Sequence, residues 1–62
     1  VIEVHYDATF NQVKIVANDR TLQYLQDILG ALRSAGSGNH YHFDKANNMI
    51  EGNLDDLVLQ KK

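Results

Sequence analysis

The sequence contains no cysteine, no proline and no tryptophan. Without cysteine there is no disulfide framework, no thiolate nucleophile and no Cys-ligated zinc. Without proline, chain reversals fall to Gly, Asn, Asp and Ser. Aromatic residues make up only 8% of the chain, so the bulky anchors that reinforce many very small domains are few. No apolar run approaches the roughly 18 residues of a membrane span, and no signal-peptide core is visible. A cytoplasmic protein with no membrane partner is therefore expected. A basic excess is lacking as well: six Lys and Arg against eight Asp and Glu leave a net charge of −2. Nucleic-acid binders carry a basic stripe, so direct nucleic-acid binding is not expected. Serine occurs only at Ser34 and Ser37, at a helix end and in a loop, which leaves a Ser–His–acid site without a nucleophile.

What is present is a globular composition, 44% apolar and 23% charged over 62 residues. That length makes one domain, residues 1–62. Ordering it costs roughly 90 kcal/mol at about 1.5 kcal/mol per residue. A chain this short buries only about 60% of its unfolded surface. It must therefore rely on an efficient layered core or on a partner. The chain opens at Val1 with no initiator methionine, which leaves residues ahead of Val1 unaccounted for.

Two hydrophobic periods divide the chain. Val1–Asp7 alternates, with Ile2, Val4 and Tyr6 on one face and Glu3, His5 and Asp7 on the other. This is a strand pattern. Residues 8–11 read as a connection, and residues 12–17 alternate again with Val13, Ile15 and Ala17 together, which implies an antiparallel hairpin. At Asn18 and Asp19 the period changes. Leu22, Leu25, Leu29 and Leu32 fall on one helical stripe, predicting a helix from about Asp19 to Ala35 with Gly36 as its stop. Tyr24, Ile28, Ala31 and Ala35 form a shoulder beside that stripe. Gly30 lies on the polar side, either tolerated there or marking a close approach by another chain. His40–Asp44 is a third strand with Tyr41 and Phe43 inward. Residues 45–48 form a turn, and Asp56–Gln60 is a closing strand with Leu57 and Leu59 inward. Met49–Glu51 is undecided between a short strand and a loop, and Lys61 and Lys62 read as a solvated tail. The expected fold is α+β: an antiparallel four-stranded sheet in β-β-α-β-β order with one helix packed on one face.

Parity then sorts the polar residues. Glu3, His5, Asp7, His40, His42, Asp44 and Asp56 collect on the face away from the helix, with Val58 among them. All three histidines belong to this set. One reading of His40, His42 and Asp44 is a metal site, because residues two apart on a strand point the same way and two imidazoles with a carboxylate suit zinc. The other is a polar outer face in which histidines pack against valines. No fourth ligand or hydrolytic base is specified, so neither an enzyme nor a cofactor is expected. Gly36-Ser37-Gly38 follows a helix and does not precede one, so it is a cap and turn and not a phosphate cradle.

The string Gly38-Asn39-His40-Tyr41-His42-Phe43-Asp44, followed by Gly52-Asn53 and Asp56-Leu57-Val58-Leu59, resembles immunity protein family 32 of bacterial polymorphic toxin systems. Leu22, Leu25 and Leu29 fit that family's leucine-rich helix, whereas Asn53 stands where its pattern has Ser. The resemblance implies a short cytosolic antidote without catalytic activity. Such a protein binds a cognate toxin, for instance a nuclease with a basic cleft, and blocks its active site. Glu3, His5, Asp7, His40, His42, Asp44, Asp56 and Val58 are the expected partner-binding residues. A homodimer made by pairing of edge strands is the competing architecture.

Overall fold

The computed structural model describes all residues, Val1–Lys62. Its elements are β1 (Ile2–Asp7), β2 (Gln12–Val16), α1 (Asp19–Ser34), β3 (His40–Asp44), β4 (Ile50–Gly52) and β5 (Asp56–Gln60). The α+β class and the early hairpin are as expected, but the strands form two sheets and not one. A three-stranded sheet runs in the order β2-β1-β4, and β3 pairs with β5 in a separate two-stranded ribbon.

Local chemistry explains most boundaries. The β1–β2 turn is closed by Asp7, whose Oδ1 accepts from the amides of Thr9 (2.9 Å) and Phe10 (3.4 Å). Asn11 completes it at φ 49°, a left-handed conformation that Asn tolerates better than most residues. The helix begins where Asn18 accepts from the Thr21 amide at 2.9 Å, an N-cap that satisfies one orphan donor. Asp19 in the first turn and Arg33 in the last complement the helix dipole.

The split into two sheets originates in the turn after β3. Asp44 Oδ1 accepts from the Asn47 amide and Oδ2 from its side-chain nitrogen, at 2.8 and 2.9 Å. The Met49 amide then donates back to the Asp44 carbonyl at 3.0 Å. This tight reversal delivers Ile50 to β1. There Ile2, Glu3 and Val4 pair in parallel with Ile50, Glu51 and Gly52. Met49–Glu51 thus contributes a strand, one residue further along than its residues suggested. Beyond it, the Asn53 side chain extends the ladder: its oxygen accepts from the Tyr6 amide at 2.7 Å and its nitrogen donates to the Tyr6 carbonyl at 2.8 Å.

The core consists of Ile2, Val4, Ile28, Phe43 and Ile50, with Leu25, Leu32, Tyr41, Met49, Leu54, Leu57 and Leu59 packed against it. Face assignments in β3 and β5 hold in the observed register: Tyr41 lies opposite Leu59 and Phe43 opposite Leu57. On β1, Ile2 and Val4 are buried, but Tyr6, expected inward, is 37% exposed because it pairs with the uncovered strand β2. Two further expectations of burial fail. The helix is rotated from its leucine stripe, so that Ile28 is buried while Leu22 and Leu29 remain 53% and 54% exposed. The rotation brings Tyr24 over the ribbon, its hydroxyl 2.7 Å from that of Tyr41 and its ring edge-on to Phe43. Secondly, Val13 and Ile15 face the core side, opposite Tyr6 and Val4, yet are 56% and 48% exposed. The helix rests chiefly on β3 and leaves β2 uncovered.

The C-terminal lysines differ from each other. Lys61 is not a solvated tail residue: its Nζ donates to the carbonyls of Arg33 and Ala35, both at 2.6 Å. Its backbone continues the β3–β5 ladder through Asn39 and Gly38. A cation on the last helical carbonyls is favoured by the dipole. Lys61→Ala should cost about 1 kcal/mol, read as a lowered midpoint in urea.

Two glycines give a second check. Gly52 has φ +121°, and a Cβ built there collides with the Val4 carbonyl oxygen, whereas one built on Gly30 meets nothing. Gly52→Ala is expected to destabilise by about 2–4 kcal/mol from strain and overpacking. Gly30→Ala should stabilise by up to about 1 kcal/mol. Equal effects in chemical denaturation would contradict the parallel β1–β4 pairing.

Candidate binding surface

The partner-binding residues expected from the sequence all lie away from the core, but they belong to two sheets. Glu3, His5 and Asp7 stand on β1, while His40, His42, Asp44, Asp56 and Val58 stand on the β3–β5 ribbon. The single histidine-bearing face is therefore divided, with His5 on one sheet and His40 and His42 on the other.

On the ribbon, cross-strand register places Asp44 opposite Asp56 and His42 opposite Val58. Like charges directly opposite destabilise a strand pair, and each carboxylate here has its own remedy. Asp44 turns into its own loop to bind Asn47. Asp56 Oδ2 lies 2.8 Å from His42 Nδ1. Because a carboxylate can only accept, that bond puts the proton on His42 Nδ1. His40 Nδ1 likewise donates to the Gly38 carbonyl at 3.3 Å. Both imidazoles then present Nε2 outward. Their rings meet edge-on, with centroids 5.0 Å apart.

The metal reading of His40, His42 and Asp44 is not assembled. No group of three or more His, Asp or Glu side chains converges on a common point. The reason is local: both oxygens of Asp44 are directed at Asn47. On β1, His5 Nε2 is 3.8 Å from Glu3 Oε2, too long for a hydrogen bond. Asp7 is engaged in its turn. Of the carboxylates expected to meet a partner, those free of turn duty reduce to Glu3 on β1 and Asp56 on the ribbon.

Sequence reasoning did not find two clefts. The larger, about 380 Å³, is lined by Val1, Ile2, Arg20, Thr21, Tyr24 and Met49. The smaller, about 250 Å³, lies between Leu29, Leu32 and Arg33 of the helix and Leu59, Gln60 and Lys61. Each joins elements distant in sequence, so no local motif announces it. No helix is long and apolar enough to cross a membrane. The chain matches no family model, no curated protein and no solved structure. The immunity-family resemblance rests on the quoted residues.

The contact between Tyr24 and Tyr41 has a titration consequence. The hydrogen bond to Tyr41 holds the Tyr24 hydroxyl above its ordinary value, with lesser help from burial and from the charge Tyr41 would carry. A raised value in the folded chain means that the folded state keeps its proton longer than the unfolded one. The resulting stabilisation is complete below pH of about 10. It is lost as pH rises through the folded value. Tyr24→Phe should remove this alkaline loss. Phenolate absorbance followed during a pH titration should show a late-ionising tyrosine in the wild type that Tyr24→Phe removes.

Proposed function

We propose that the chain is a non-catalytic binding protein of the immunity type, a cytosolic antidote that neutralises a cognate bacterial toxin by covering its active site. The observation that carries this reading is the outer face of the β3–β5 ribbon. There His42 and Asp56 are joined at 2.8 Å, while His40 and Val58 stand exposed beside them. Side chains already held in place lose less entropy on docking. Imidazole rings and a valine supply a centre of ring and apolar surface, and interfaces concentrate their energy in well-packed centres.

The acids supply direction. With a net charge of −2 and Glu3 and Asp56 outward, the preferred partner surface is basic, as in the cleft of a nuclease. Inhibition is then steric and electrostatic, the antidote taking the substrate's place. Asp7 and Asp44 contribute to the potential, but their contacts belong to the turns.

Co-expression with the products of the neighbouring genes tests the reading: one of them arrests growth when expressed alone, the chain restores growth, and affinity capture recovers that toxin. Asp56→Lys should slow association about tenfold at low salt while changing dissociation little. An association rate indifferent to both the substitution and the salt would exclude the acidic face. Recovery of no toxin would sink the antidote reading itself.

A further inference from the structure

Strand β2 is the least satisfied element of the molecule. It is an outer strand of its sheet, and all five of its residues are exposed. An exposed edge with apolar residues is a template for pairing with another chain. The whole molecule is also more open than its size requires. Its accessible surface is 4760 Å², whereas a 7.0 kDa monomer is expected to expose only about 4,000 Å². The excess, roughly 700 Å², approaches the ~800 Å² that each partner gives to a standard interface. The radius of gyration agrees: 12.3 Å against about 10.5 Å for a compact chain of this length.

We infer that the occupant of this edge is a second copy of the same chain, with β2 paired antiparallel to β2 of the second copy about a two-fold axis at Ile15. The choice of axis follows from charge and size. Centring on Lys14 would place two ammonium groups opposite each other, which is unfavourable. Centring on Ile15 sets Ile15 against its equivalent, Val13 against Ala17, and Lys14 against Val16. The observed pairing of Val4 with Ile15 then extends as one apolar row from β1 of one copy to β1 of the other. The two three-stranded sheets become one of six strands.

The same register carries the hairpin tip past the partner's strand end. Phe10, 72% exposed, stands in the hairpin turn two residues before β2 and comes toward the start of the second copy's helix, where Arg20 borders the apolar 380 Å³ cleft. An aromatic ring beside a guanidinium and an apolar hollow is a favourable knob and socket. By symmetry it occurs twice. This interface lies on β2 and leaves the β3–β5 ribbon free, so it can fail without affecting the antidote reading.

The test exploits the absence of cysteine. Residues opposite each other across antiparallel strands have Cα atoms about 4.5–5.5 Å apart, within disulfide range. Under mild oxidation Ile15→Cys should give a disulfide-linked dimer of unchanged far-ultraviolet circular dichroism, while Leu29→Cys on the exposed helix flank should stay monomeric. Sedimentation of the wild-type chain at micromolar concentrations should show a dimer. Phe10→Ala should raise its dissociation constant about tenfold or more, as truncation of an aromatic anchor does. A wild-type monomer at every concentration would overturn the proposal. So would cross-linking through Leu29 as efficient as through Ile15, or a dimer that is indifferent to Phe10.

Discussion

The burial of Phe43 against β1, α1 and β4 is the contact on which the rest of this molecule depends. The β3–β5 ribbon shares no ladder with the other sheet. It is held in place by what its inner face packs against, and Phe43 is its one fully enclosed side chain, grouped with Ile2, Val4, Ile28 and Ile50. Four separate elements meet there with no disulfide or metal to assist. Interiors are close-packed, so removing one member leaves a cavity that its neighbours fill only partly. Around this small centre the half-buried ring of Leu25, Leu32, Tyr41, Leu57 and Leu59 is open to solvent on its outer side.

Elements whose neighbours are close in sequence were legible without coordinates. The hairpin, the helix span, β3 and β5 follow from periods of two and 3.6, and the inward or outward sense of Ile2, Val4, Tyr41, Phe43, Leu57 and Leu59 follows from alternation alone. What escaped depends on partners far along the chain. A three-residue strand has too few positions to display a period, and β4 exists because β1 is there to receive it. The helix roll is a similar case. Four leucines outweigh one isoleucine in a count of apolar residues, but the hydroxyl pair of Tyr24 and Tyr41 and the edge-on approach to Phe43 turn Ile28 inward. Lys61 gave no sign at all, since a terminal lysine reads as solvated until a helix end is found beside it.

The candidate surface was legible by residue and less so by arrangement. Each of the eight residues does lie away from the core, as alternation required. Their distribution over two sheets, and the use of Asp7 and Asp44 in turns, follow from hydrogen bonds that depend on loop conformation. The opposed carboxylates Asp44 and Asp56 show how the ribbon tolerates its own charge. One turns back to an amide and the other bonds an imidazole, so the acidic character is distributed and not concentrated into a chelating cluster.

The pairing of Ile2 with Ile50 also bears on how the chain emerges during synthesis. The hairpin is synthesised before the other elements, its greasy side without a partner, and its final neighbour is translated more than thirty codons later. At roughly 5–20 residues per second, the nascent N-terminal segment waits about two to seven seconds for its mate. Slow codons or a stalled ribosome in that interval would lengthen the exposure, making translation speed over the second half of the message a determinant of yield.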